Sequence, residues 1–144
     1  MKELLEKINC RDFQRVALLN ADSKFRKQFA AALKSVTIDS EIDPRFLYCF
    51  IMVYVKNIAE LEQVAPAIIH NLADDGDLWV CYPKKTSKNF KSDLSKKTGW
   101  DSLNDSGFYG RRVITVNDDW SALKFKHIKY IKQKKATVNA DSQD

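Results

Sequence analysis

Residues 83–87, Pro-Lys-Lys-Thr-Ser, place two cations and two hydroxyls directly behind an apolar run, Leu78 to Tyr82. Lys84 and Lys85 supply charge, Thr86 and Ser87 supply hydroxyl donors, and Pro83 stiffens the exit from the preceding strand. Such a turn suits a phosphate or carboxylate, above all where it feeds a helix start whose amides point outward. The plainer reading is a solvated loop whose hydroxyls cap the next helix. A second polar group, Asn117-Asp118-Asp119-Trp120-Ser121, opens another apolar run. Its acids suit a general base or Mg²⁺, although adjacent acids at a hairpin more often bond amides of their own turn. Trp120 is expected to plug the end of the sheet, with its indole N–H reaching a carbonyl.

Other chemistries lack their anchors. The chain has no G-x-G-x-x-G, P-loop, H-E-x-x-H or G-x-S-x-G stretch. Its three cysteines, Cys10, Cys49 and Cys81, show no C-x-x-C spacing, and Cys49 and Cys81 lie inside apolar runs, as packing thiols do. Two histidines, His70 and His127, are too few and too isolated for a familiar zinc site. A Cys81–His127 dyad would need strands 77–82 and 121–128 to pair, and it lacks an orienting acid. No metal, cofactor or catalytic residue is assigned.

These groups must be positioned by the apolar runs around them. Arg15 to Asn20 and Phe46 to Val55 are uninterrupted and rich in β-branched or aromatic residues, which predicts strands covered on both faces. Asp22 or Ser23 caps a helix reaching about Lys34, with Phe25, Phe29 and Leu33 forming its buried stripe. Val36 to Ile38 reads as a short strand. Asn57-x-x-Glu60 resembles a capping box before a helix with the stripe Ile58, Leu61, Val64, Ala65, Ile68 and Leu72. Pro66 predicts a kink or a split there, and Gly76 a positive backbone angle that ends the helix. Trp100 to Leu103 reads as a short helix. Arg112 to Val116 and Ser121 to Ile128 are the expected final strand pair, the latter alternating Leu123 and Phe125 with lysines. Residues 1–128 make a single domain, and 129–144 a polar, flexible tail.

The alternation of strands and helices predicts an α/β three-layer sandwich: a mostly parallel central sheet with a C-terminal antiparallel strand pair. The short strand lies outside the first, so the sheet switches direction between strands 15–20 and 46–55. Ligands favour the carboxyl edge at such a switch. The predicted ligand-binding rim comprises Asn20, Asp22, Lys84, Lys85, Thr86, Ser87, Asp119, Trp120 and Ser121.

At 144 residues the net charge is +5, concentrated in residues 84–135, where 14 basic residues face 5 acidic ones. The bland meaning is a soluble lysine-rich surface. A nucleic-acid reading would use Lys88, Lys91, Lys96, Lys97, Arg111 and Arg112, with Phe90 and Tyr109 stacking on bases, but no recognised motif supports it. No apolar run approaches the roughly 18 residues of a membrane span. The first residues lack a signal-peptide core, so the cytoplasm is the expected compartment.

The strand Leu78-Trp79-Val80 with Tyr82-Pro83-Lys84, then Gly107-Phe108, then Trp120-Ser121-Ala122-Leu123-Lys124, resembles a bacterial family known as domain of unknown function 3052. The resemblance spans residues 12–128 and implies a fold without an assigned activity. From Phe46 onward the order of elements is also similar to the second half of S-adenosylmethionine-dependent methyltransferases, which end in a comparable antiparallel pair. Those enzymes hold their cofactor with a glycine-rich turn after the first strand, where this chain reads LLNADSKF. The departure speaks against methyl transfer.

The leading expectation is therefore a small non-enzymatic binding or interaction module with an anion-friendly site at the carboxyl edge. The alternative is an enzyme acting there on a small anionic or phosphorylated substrate, with Asp119 as base and Lys84 as charge stabiliser. Nucleic-acid binding through the basic half is the third reading.

Overall fold

A computed structural model describes residues 1–10 and 13–131. Six strands, β1 (Arg15–Leu19), β2 (Thr37–Asp39), β3 (Tyr48–Tyr54), β4 (Leu72–Pro83), β5 (Phe108–Thr115) and β6 (Trp120–His127), form one sheet. Its order is β2-β1-β3-β4-β6-β5. The first four are parallel, and β6 runs antiparallel between β4 and β5. Helices α1 (Lys2–Lys7) and α2 (Ser23–Ala32) cover one face; α3 (Ile58–Asn71) and α4 (Asp101–Asn104) cover the other. This is the predicted three-layer α/β sandwich.

The apolar runs become central strands because both their faces are covered. Along β3, Ile51 and Val53 enter the core beneath α3, while Phe50, Met52 and Tyr54 enter the one beneath α1 and α2. On β4, Leu78 and Val80 face the first core, and Trp79 and Cys81 the second. Trp79 is fully buried and donates its indole N–H to the Ile8 carbonyl at 3.1 Å, which ties α1 to the sheet.

Both long helices start at side-chain caps. Asp22 Oδ1 accepts from the Phe25 amide at 2.7 Å, and Asn57 Oδ1 from the Glu60 amide at 2.9 Å. Glu60 reaches back one residue past the cap, to the Lys56 amide at 2.8 Å.

Three local expectations are corrected. Pro66 does not split α3, which runs unbroken over Ile58–Asn71. It stands on the exposed side, so water can satisfy the carbonyl one turn back, while Leu61, Ala65 and Ile68 clamp the helix to the sheet. Gly76 neither ends a helix nor takes a positive φ. It lies inside β4, where a Cβ would stand 2.9 Å from the Ala73 carbonyl oxygen, and Asp75 adopts φ 59° instead. That irregularity matches a register shift between Tyr48 and Phe50, opposite Leu72 and Asp77. Finally, β5 begins at Phe108 rather than Arg112, because a bulge between Gly110 and Arg112 lets pairing start earlier.

Of the expected tail, 129–144, residues 129 and 130 belong to a 3₁₀ turn over Ile128–Tyr130, and 132–144 lie outside the described residues. No helix among the described residues is long and apolar enough to cross a membrane.

Candidate functional site

The carboxyl ends of β1, β3 and β4 meet the start of β6 on one rim, but the predicted residues divide there by role and by face. Asn20 takes φ 62° at the end of β1 and donates its side-chain amide to the Tyr54 carbonyl at 3.2 Å. Asp22 caps α2. Both serve the local backbone.

Ser87 and Asp119 form a closed knot. The Ser87 hydroxyl donates to Asp119 Oδ1 at 2.7 Å and accepts from the amides of Asn89 and Phe90 at 3.2 and 3.1 Å. Asn89 donates to both Asp119 oxygens at 3.3 and 3.2 Å. Asn117 Oδ1 in turn accepts from the amides of Asp119 and Trp120 at 2.9 and 3.0 Å. Asp119 is thus a loop anchor: both its carboxylate oxygens accept from Ser87 or Asn89, and it stands outside the cavity that Lys84 lines. Trp120 is buried edge-on against Tyr54, with centroids 5.0 Å apart, and tilted against Phe90 at 5.1 Å. Ring packing, rather than a carbonyl bond, holds it.

Lys84, Lys85, Thr86 and Ser121 come together on the other face, that of α3 and α4. With Tyr82, Ser95, Lys96 and Lys97 they line a cavity of about 430 Å³. Its position follows from the strand register. Tyr82 pairs with Ser121 and Pro83 with Trp120, so Ser121 shares the Tyr82 face and Trp120 takes the opposite one. The Lys84 amide extends the ladder by donating to the Asp119 carbonyl at 2.8 Å. The far wall is a tight loop in which Ser95 and Thr98 exchange backbone bonds of 3.2 and 3.3 Å. The Trp100 indole fixes that loop by donating to the Ser95 and Lys96 carbonyls at 2.8 and 3.2 Å.

Charge is the property of this cavity. Four lysines line it, and among the described residues no carboxylate does. Among the described residues no carboxylate stands within ion-pair distance of Lys84, Lys85, Lys96 or Lys97. Burial raises the Tyr82 phenol above its ordinary value, so it stays protonated and can donate. Gathered cations, three aliphatic hydroxyls and one phenol make an anion-holding surface that can also stabilise developing negative charge.

The sequence reading missed Ser95, Lys96 and Lys97 as partners of the first turn. A signal was present: Lys-Lys-Thr occurs at 84–86 and again at 96–98. Two identical cationic turns twelve positions apart converge on one space, and only the Trp100 anchor reveals it.

The remaining candidates do not assemble. Cys81 pairs with Ala122 and points beneath α2, while His127 lies opposite Phe108 at the other end of the sheet. Burial pushes the Cys81 thiol far up and the Cys10 thiol up to about 12, so both are inert packing groups. Much of the basic half is already engaged. Lys126 contacts Asp75 and Asp77 at 2.7 and 3.0 Å, and Arg112 bonds the Lys7 carbonyl and lies over the Trp79 ring. Phe90 packs on Trp120 and is no free surface for a base.

Neither a protein-family model nor a curated protein sequence matches the chain. Solved structures do share its fold. A ribosomal protein L11 methylase from Lactobacillus delbrueckii subsp. bulgaricus is 12% identical, with TM-score 0.57 over 85% of this chain and 74% of that one. A SAM-dependent methyltransferase from Aquifex aeolicus is 9% identical, with TM-score 0.57 over 86% and 87%. The N-methyltransferase NodS from Bradyrhizobium japonicum WM9, solved with S-adenosyl-L-homocysteine, is 8% identical, with TM-score 0.56 over 88% and 84%. The likeness is one of fold. It runs against the expectation of a non-enzymatic interaction module, because these neighbours are a methylase and methyltransferases by name.

Proposed function

We propose that this chain is an enzyme of the methyltransferase-like α/β architecture that acts on a small anionic, phosphorylated substrate held between its two Lys-Lys-Thr turns. The observation that supports this reading is the cavity of about 430 Å³ lined by Lys84, Lys85, Lys96 and Lys97 without a carboxylate among the described residues. Clustering like charges is unfavourable in the empty protein, and an anion relieves it. Thr86, Ser95 and Ser121 offer hydroxyls that can direct hydrogen bonds to phosphate oxygens. The described lining contains neither carboxylate nor imidazole, so the chain's contribution is electrostatic. Its ammonium groups stabilise negative charge that grows on substrate oxygens in the transition state. The free cysteines are consistent with a reducing, cytoplasmic setting.

The cofactor of the fold neighbours, S-adenosylmethionine, does not fit the residues present. Where a glycine-rich turn would admit it, Asn20 carries a side chain that bonds across to the Tyr54 carbonyl. Behind that bond Phe25, Tyr54 and Trp120 pack ring against ring, at 5.3 and 5.0 Å. Side chains, not a glycine turn, occupy the carboxyl end of β1 beside β3.

The test is turnover. A panel of phosphorylated metabolites is incubated with the protein and followed by mass spectrometry, alongside a Lys84→Ala/Lys96→Ala double variant. At least one substrate should be consumed by the native chain, with activity falling at least tenfold in the double variant while its circular dichroism is unchanged. A native protein that binds phosphates yet converts none overturns the enzymatic reading. Methyl transfer from S-adenosylmethionine would overturn the cofactor argument.

A further inference from the structure

A second, larger cavity adjoins the anion cavity. Lys96 and Lys97 line both, so the two spaces share a wall. The second has about 920 Å³ and lies between the loop carrying those lysines and strands β5 and β6. Its apolar lining comprises half-buried Val113 and exposed Ile128, over the buried Trp100, Leu123 and Phe125. Exposed Arg111 at the β5 bulge lines it together with the shared lysines, and no carboxylate does among the described residues.

Gly110 sits opposite Phe125 in register, and a Cβ there would press on the Leu123 side chain at 3.1 Å, so glycine lets β5 lie close against it. The helix α4 is four residues long and meets β5 at its start, where Asn104 donates to the Phe108 carbonyl at 2.8 Å; farther along, Val113 stays half-buried and Ile128 exposed.

From this adjacency we infer that the substrate is amphipathic: a phosphate ester whose charged end lies among Lys84, Lys85, Lys96 and Lys97 and whose apolar body lies on Val113 and Ile128. This rests on the proposed anion site and specifies what is attached to the anion. A bare phosphate would leave the larger space filled with water over its apolar lining. An alkyl or aryl group displaces that water, and each buried methylene is worth roughly fourfold in affinity.

Calorimetric titration of the full chain at constant ionic strength with inorganic phosphate, hexyl phosphate and phenyl phosphate tests this. Hexyl phosphate, phenyl phosphate or both should bind at least tenfold more tightly than inorganic phosphate, and the larger gain names the body as alkyl or aryl. Val113→Asn, which makes the lining polar without adding a charge beside the shared lysines, should remove most of the gain over inorganic phosphate. Ile128→Asn, at an exposed position of the same cavity, makes the same test where the strand variant disturbs folding. Equal affinities for all three probes, or a gain that survives both variants, overturns the amphipathic substrate alone. Inorganic phosphate binding that is undetectable, or untouched by Lys84→Ala with Lys96→Ala, instead strikes the anion site on which it rests.

Discussion

The two rims of the sheet use charge in opposite ways. Near the amino ends of β1, β3 and β4, the described cations Arg15 and Lys126 each stand beside acids. Arg15 bonds Asp39 at 2.7 Å and reaches Asp43 at 3.4 Å, its guanidinium 4.5 Å from the Phe46 ring centre. The fully buried Tyr48 donates its hydroxyl to Asp39 and accepts from the Asp43 amide at 3.0 Å. Lys126 sits between Asp75 and Asp77. At the carboxyl rim the acids are spent on loops and caps, and the lysines of the cavity have no carboxylate partner among the described residues. Polar groups at the first rim are there for the fold. Those at the second include a set the fold does not need, and it is this surplus that supports a ligand site.

Substitutions can break the contrast. The largest effect is expected at the amino rim: Asp39→Ala removes the nearer acid of Arg15 and the acceptor of the Tyr48 hydroxyl, leaving Arg15 only Asp43, and costs about 1–2 kcal/mol of unfolding free energy in urea. Loss below about 0.5 kcal/mol would mean that the network is ornamental. Asp119→Ala removes the acceptor of Ser87 and Asn89, costing about 1 kcal/mol, yet phosphate affinity should be retained because Asp119 does not line the cavity. A collapse of affinity with unchanged stability would restore Asp119 to the site. The smallest effect is a gain. Lys97→Ala relieves like-charge crowding and should raise stability by a few tenths of a kcal/mol in ligand-free, low-salt buffer.

Acid sharpens the comparison further. Hydrogen bonds from the Arg45 side chain and amide hold the Asp43 carboxyl at about 2, below its ordinary range. Its folded pKa is depressed, so its contribution is complete above about pH 4 and is lost as pH falls toward 2. A urea midpoint that declines across this window in the native chain, but less in Asp43→Asn, is the expected result. Parallel curves would deny Asp43 a part in acid stability.

Much of the scaffold was legible because it is written in local chemistry. Continuous apolar runs at Arg15 and Phe46 mark strands covered on both faces, and Asp22 and Asn57 mark helix starts by what their side chains can accept. The strand order followed, and with it the gathering of Asn20, Lys84 and Asp119 on one rim. The roles within that rim were not legible. Whether Asp119 is a free base or a loop anchor depends on Ser87 and Asn89, some thirty residues away in sequence. Which face a residue takes depends on register, which separates Ser121 from Trp120 by a single step. Lys96 and Lys97 belong to the site only because Trp100 folds their loop back. Pro66 misled for a related reason: tertiary clamping by Leu61, Ala65 and Ile68 overrides a local helix breaker.

The account stands on the unmatched lysines. Calorimetric titration of pyrophosphate into the native chain and into the Lys84→Ala/Lys96→Ala variant, at low and at physiological salt, addresses them directly. One saturable site is expected, weakened at least tenfold by the double substitution and weakened further by salt. Equal affinity in the two proteins would contradict it.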